Sequence, residues 1–120
     1  MLEVKIQLKK LHGVKKMDLE AVKEFCTAVK KTLGDELLGL RLFGSKARGE
    51  ASRDSDIDIA VVVRQRNSRV WDMVMDAAFY TNLRWDVYIS PRVIERRALK
   101  DPKWRITGFV QNLEREGIPL

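Results

Sequence analysis

Residues 43 to 63, "FGSKARGEASRDSDIDIAVVV", decide how the rest of the chain is read. The second half has the pattern of a strand entering the protein interior, yet it opens with Asp54, Asp56 and Asp58. Strands disfavour aspartate, and an ionised carboxylate taken out of water is costly unless it is paired or bound to a cation. Side chains alternate along a strand, so Asp56, Asp58 and Ala60 share one face while Ile57, Ile59, Val61 and Val63 share the other. The apolar row is therefore expected to face helices, and the acids to line a site.

Working outward, "LLGLRLF" at 37–43 predicts a strand, and the glycine-flanked segment after it a short helix or turn. Leu19, Val22, Cys26, Val29 and Leu33 recur at helical spacing, with Asp18 as expected N-cap and Gly34 just past the end. Downstream, Asn67 or Ser68 caps a helix carrying Val70, Trp71, Val74, Ala77 and Ala78. "RWDVYIS" at 84–90 alternates as a third strand, with Trp85, Val87 and Ile89 on one face and Asp86 and Tyr88 on the other. Ser90-Pro91 and Asp101-Pro102 each read as N-cap and first residue of a helix, the second ending at Gly117. Within that helix Gly108 suggests close packing against a neighbour. Residues 1–16 read either as a strand, through "VKIQL", or as a basic arm. The predicted fold is a single α/β (α+β) domain over residues 1–120, with a small mixed sheet of three to four strands flanked by helices.

A chain of 120 residues folds around one core without covalent staples, and with one cysteine it has no disulfide to form. Cys26 sits in an apolar helical pattern and reads as a small buried side chain. His12 is the single histidine, which excludes His-rich zinc sites and a Ser-His-Asp triad. Neither a bilayer-spanning apolar run nor a signal peptide's apolar stretch is evident, so a soluble, reducing, cytoplasmic setting is expected. The net charge of +6 favours an anionic ligand or partner without choosing one. Trp71, Phe79, Tyr80, Trp85 and Trp104 read as core or interface, and Arg92, Arg96, Arg97 and Lys100 as a basic helix face.

If the third strand sets Asp86 beside Asp56 and Asp58, three carboxylates converge. Two like charges about 4 Å apart repel by roughly 4 kcal/mol at an effective dielectric of 20, so the cluster calls for a cation. Magnesium suits it, since it takes hard oxygen ligands, commonly one or two carboxylates, and fills its remaining positions with water and phosphate. A third acid would complete a two-metal site. A bare D-x-D is common, however, and the case depends on what lies upstream.

Gly44 and Ser45 follow a strand and open a turn, where backbone N–H groups favour phosphate; Lys46 and Arg48 add charge. A P-loop is excluded, because Glu50 and Ala51 stand where Lys and Ser/Thr are required, and no G-x-G-x-x-G occurs. What remains is Gly44-Ser45, ten residues, Asp56-Ile57-Asp58, and Asp86 later. This closely resembles the G-S-x10-D-x-D signature of the DNA polymerase beta-like nucleotidyltransferases, and within them the minimal nucleotidyltransferases (MNT). The resemblance covers about residues 18 to 120.

The resemblance implies ATP held by its triphosphate on Gly44, Ser45, Lys46 and Arg48, with Asp56, Asp58 and Asp86 ligating two magnesium ions. The third acid also assists deprotonation of the acceptor. Lys46 departs from the arginine that relatives often carry, which keeps charge and loses a bidentate grip. MNT proteins are commonly antitoxins that transfer AMP to a tyrosine of a partner HEPN-domain toxin. The implied partner is thus a HEPN protein in a hetero-oligomer, with no membrane and no required nucleic-acid contact. The alternatives are a non-catalytic toxin-binding module and a nucleotidyltransferase for a small-molecule acceptor.

Overall fold

The row Ile57, Ile59, Val61 and Val63 is buried, at 2% exposure or less, as alternation predicts. It forms the middle of the sheet in a computed structural model that describes residues 16–44, 56–105, 110, 113 and 117–120. Expectations for residues 1–15, for the turn at 45–55 and for Gly108 lie outside the described residues.

The chain runs α1 (Lys16–Leu33), a 3-10 turn (Gly34–Glu36), β1 (Leu37–Phe43), β2 (Ile57–Val63), α2 (Ser68–Trp85) and β3 (Ile89–Glu95). The five-residue α3 (Arg96–Lys100) and α4, described over Pro102–Arg105, precede β4 (Ile118–Pro119); Val110 and Leu113 are also helical. The sheet order is β3-β2-β1-β4, with β2 antiparallel to β1 and parallel to β3, and β4 antiparallel to β1. The mixed sheet of four strands flanked by helices is the expected fold class.

Helices α1 and α2 cover one face. Val22, Phe25, Cys26 and Val29 from α1 and Val70, Val74 and Ala78 from α2 form one buried cluster with the β2 row and Leu40 and Leu42 of β1. On the opposite face Ala60, Ile94 and Leu113 form a smaller cluster, with Phe43, Ala98 and Leu99 against it. Asp58 shares the face of Ala60, so the acids point away from the α1–α2 core.

Caps confirm two helix boundaries. Gly34 takes φ +54° at the end of α1, a conformation glycine adopts without steric cost. Asn67 accepts a 2.9 Å hydrogen bond from the Val70 N–H at the start of α2. Asn67→Ala should lower unfolding stability by about 1 kcal/mol, measurable by urea denaturation, through loss of that cap. At the start of α1 the expectation shifts: the helix begins at Lys16, so Asp18 lies in its first turn, buried, where a carboxylate suits the helix dipole.

The region 84–95 departs most from expectation. Trp85 is the last residue of α2, continuing the helical series of Val74, Ala78 and Thr81, and its Nε1 donates to Glu24 of α1 at 3.0 Å. The shared parity of Trp85 with Val87 and Ile89 imitated a strand. Asp86 caps the helix with φ 50°, in the left-handed region that aspartate tolerates better than most residues. Ser90 and Pro91, expected to open a helix, lie inside β3.

Proline is admitted there because β3 is an edge strand. The Ile57 N–H donates to the Tyr88 carbonyl, so the next residue, Ile89, turns its backbone groups outward. Both are taken by the Asn82 side chain: Oδ1 accepts from the Ile89 N–H at 2.7 Å, and Nδ2 donates to its carbonyl at 3.2 Å. Pro91, the next outward residue, has no N–H to leave unpaired. The edge is blunted from 89 to 91, a device against unwanted strand pairing.

Cys26 is buried, and burial pushes its thiol up to about 12, with Lys30 pulling weakly the other way. The native protein should therefore resist thiol reagents at pH 8 and react stoichiometrically once unfolded, as a disulfide-exchange assay would read. Because the folded value lies above the ordinary 9.0, the stability from keeping the thiol neutral is present below pH 9 and is lost as pH rises toward 12.

Candidate active site

Phe43, the last residue of β1, pairs with Asp58, and the chain turns at Gly44 with φ +76°. The turn lays the Gly44 backbone directly on the Asp58 carboxylate. A Cβ built at Gly44 would collide with Asp58 Oδ2 and stand 3.2 Å from its Cγ. Only glycine satisfies both the positive φ and the close approach. The turn thus sets the Gly44 backbone against the carboxylate at the end of β2.

Asp58 is half-buried and Asp56 is exposed, just before β2 begins. Two residues apart, they lie on one side of the sheet at its end. Across β2 from Phe43, the partner of Asp58 is Ser90 of β3, so one row runs Phe43, Asp58, Ser90. Ser90 was missed as a neighbour of the site because it was assigned to a helix start; the β-branched pair Val93-Ile94 was the signal for a strand.

The register opposes Ile57 to Ile89, and Asp86 lies before β3 at the end of α2. Among the described residues no three His, Cys, Asp or Glu side chains come close enough to hold a metal together. Asp86, expected on a third strand, instead caps the end of α2, because the helix extends one turn further than the alternation implied. Ser45, Lys46, Arg48 and Asp54 lie outside the described residues. The Asp56–Asp58 pair still suits one hard cation, which commonly takes one or two carboxylates beside water and phosphate. With no Cβ between them, the Asp58 carboxylate lies directly against the Gly44 backbone, at the end of the strand beside Asp56.

The aromatic and basic residues sort differently from their sequence reading. Trp85 packs on the main core, whereas Trp71, Phe79, Tyr80 and Trp104 are exposed. Arg96, Arg97 and Lys100 line a cleft of about 380 Å³ together with Arg64. Arg92 belongs to β3 and lines a different cleft, so the four residues are not one helix face. Among the described residues no helix is long and apolar enough to cross a membrane.

Residues 20–117 match the family described as "Nucleotidyltransferase domain". A relative from Methanocaldococcus jannaschii, named "Putative protein adenylyltransferase", is 30% identical over 103 residues, which are 85% of this chain and 97% of the relative. A solved structure described as a "putative minimal nucleotidyltransferase" superposes with a TM-score of 0.53 at 28% identity, covering 88% of this chain and 99% of the other. A chain from a toxin–antitoxin structure with AMP-PNP is similar at 22% identity and a TM-score of 0.49, over 79% of this chain and 68% of that one, a likeness too distant to carry function. With the family covering nearly the whole described fold, and a relative 30% identical over 85% of this chain, the chain belongs to the nucleotidyltransferase domain family and is a nucleotidyltransferase enzyme.

Proposed function

We propose that this enzyme transfers AMP from ATP to a tyrosine of a partner protein, a HEPN-domain toxin that the transfer silences, and so acts as its antitoxin. The observation that carries the reaction site is the Gly44 turn packed on Asp58, with Asp56 beside it. The relative named as a protein adenylyltransferase, alike over nearly the full length of both chains, supports a protein acceptor and an adenylyl donor. The toxin as acceptor follows from the resemblance to minimal nucleotidyltransferases.

In this reading the backbone at Gly44 and Ser45 holds the β- and γ-phosphates, and Lys46 and Arg48 add positive charge to them. Asp56 and Asp58 hold magnesium. When bound, the metal neutralises charge on the triphosphate and on the departing pyrophosphate. The protein's own contribution is positioning: the rigid end of β2 fixes the α-phosphate for in-line attack, where orientation alone can supply several kcal/mol. Asp86 enters only through the resemblance, as an acid assisting loss of the acceptor's proton. Asp86→Asn tests it separately, and unchanged transfer would confine the site to two acids.

The test of the whole reading is co-expression with the product of the neighbouring reading frame, followed by intact-mass and fragment analysis of that partner. AMP adducts on tyrosine, absent with Asp58→Asn, are expected. An unmodified but neutralised partner would replace the proposal with toxin binding alone. AMP appearing instead on a small metabolite would replace it with a small-molecule transferase.

A further inference from the structure

The outer side of α2 carries Asp72, Asp76, Phe79 and Leu83, all exposed, at the spacing of one helical stripe. Val70, Val74 and Ala78, on the other side of the helix, are buried in the main core. Phe79, Tyr80 and Leu83 are 57%, 68% and 68% exposed. The Phe79 and Tyr80 rings meet edge to face, with 5.4 Å between centroids. Single exposed apolar residues are ordinary, but three large ones within about one helical turn form a patch of the kind that marks an interaction surface. We infer that this stripe is a docking surface for a partner protein, and that it takes an amphipathic helix whose contact face is apolar at one end and basic at the other. The inference goes beyond the reaction proposed above and stands without it.

Charge selects the occupant. Among the described residues neither Asp72 nor Asp76 has an ion-pair partner. The arginines that α2 carries on either side of the stripe are held elsewhere, Arg69 by Glu36 and Arg84 by Glu24 of α1 at 3.1 Å. An uncompensated acidic end on a chain of net charge +6 matches a basic partner surface, and like charge set against it is costly. Anionic lipid and nucleic acid are disfavoured for that reason. A second copy is disfavoured too, because a two-fold axis at the middle of the Phe79–Leu83 patch sets Asp76 of one copy against Asp86 of the other.

Spacing selects its shape. The steps of four, three and four residues from 72 to 83 are those of a coiled-coil seam, about 16 Å long, onto which a second helix packs. Apolar side chains of that helix face Phe79 and Leu83, with Tyr80 at the flank, while its lysines or arginines face Asp72 and Asp76. The docked partner is held at the same end of the sheet as the Asp56–Asp58 pair. There α2 leads into β3, whose first residue, Ile89, pairs with Ile57, and the carbonyl of exposed Tyr88 accepts from the Ile57 N–H. Docking at that end raises the local concentration of any acceptor segment the partner carries.

The experiment follows the backbone amide signals of the full, isotope-labelled chain by NMR as an alanine-rich helical peptide is added. The peptide carries a seam of two leucines and two lysines, made in both seam orders so that parallel and antiparallel docking are each met. Control peptides replace the lysines by glutamates or the leucines by serines. Saturable shifts centred on the α2 stripe are expected with the better Leu,Lys peptide, which should bind at least about tenfold more tightly than either control. Asp72→Lys/Asp76→Lys should reverse the order and select the Leu,Glu peptide. Phe79→Ser/Leu83→Ser, at exposed positions that leave the fold intact by circular dichroism, should weaken binding of the Leu,Lys peptide at least about tenfold. Equal affinity for the lysine and glutamate peptides, an order unmoved by the charge swap, or no shift on α2 would overturn the docking surface. So would dimerisation of the chain that Leu83→Ser abolishes, or binding of phosphatidylglycerol vesicles through the same stripe. No transfer reaction enters the readout, so failure of the proposed chemistry and failure of the docking surface are separate results.

Discussion

Asp58→Asn should reduce transfer of label from α-labelled ATP by on the order of 10²- to 10³-fold or more, the scale on which loss of one preorganised electrostatic group is felt at a reacting centre. The substitution preserves shape and removes one negative charge at the point where the Gly44 turn meets β2. The β2 core row points to the other face, so the apolar packing of Ile57 and Ile59 is not disturbed. The folded protein should therefore persist, with circular dichroism and the unfolding midpoint close to those of the parent, while its chemistry is lost. Asp56→Asn should act in the same direction. Retention of full transfer by Asp58→Asn would remove the carboxylate pair from the mechanism.

Gly44→Ala should be comparably damaging to activity and, unlike Asp58→Asn, should also cost stability. Alanine at φ +76° pays roughly 1–2 kcal/mol for the left-handed backbone. Its methyl would also collide with Asp58 Oδ2, so either the carboxylate or the turn must move. A displacement near 1 Å at a reacting centre can cost about 10²-fold in rate. We expect transfer to fall by that order or more, and urea denaturation to show a loss of about 1–3 kcal/mol. Serine should behave as alanine does, since the obstacle is the Cβ itself. A Gly44→Ala protein with undiminished rate and stability would mean that the turn is not held against Asp58.

The sequence made the central strand legible because β2 places four apolar residues, Ile57, Ile59, Val61 and Val63, on one buried side and Asp58 with Ala60 on the other. The same regularity exposed α1 and α2 through their helical spacing, and Asn67 and Gly34 through the chemistry of caps. The tight approach of Gly44 to Asp58 was readable as a motif and not as a contact, since ten residues separate the Gly-Ser turn from the acids. Region 84–95 misled for a local reason. Trp85, Val87 and Ile89 satisfy a strand's parity, yet Trp85 completes a helical series, and Ser90-Pro91 carries a helix-start signal inside an edge strand. Only the sheet order, which places β3 outermost with Asn82 closing its edge, explains why proline is tolerated there. β4, two residues with a proline, has no pattern of its own; it is defined by pairing with Arg41 and Leu42 of β1. The cleft beside β3 could not be foreseen, because Trp71, Arg92 and Trp104 come together only once that strand is in place.

In the proposed reaction the Gly44–Asp58 corner transfers the adenylyl group of ATP to an acceptor protein and releases pyrophosphate. The most direct measurement incubates the co-expressed partner with the enzyme and magnesium, in parallel with α-labelled and γ-labelled ATP, and repeats both with chelator and with Asp58→Asn. Label is expected on the partner from α-labelled ATP alone, with pyrophosphate released in step with it, and neither product with chelator or the variant. Label carried from γ-labelled ATP, or labelling from α-labelled ATP that survives Asp58→Asn, would contradict it.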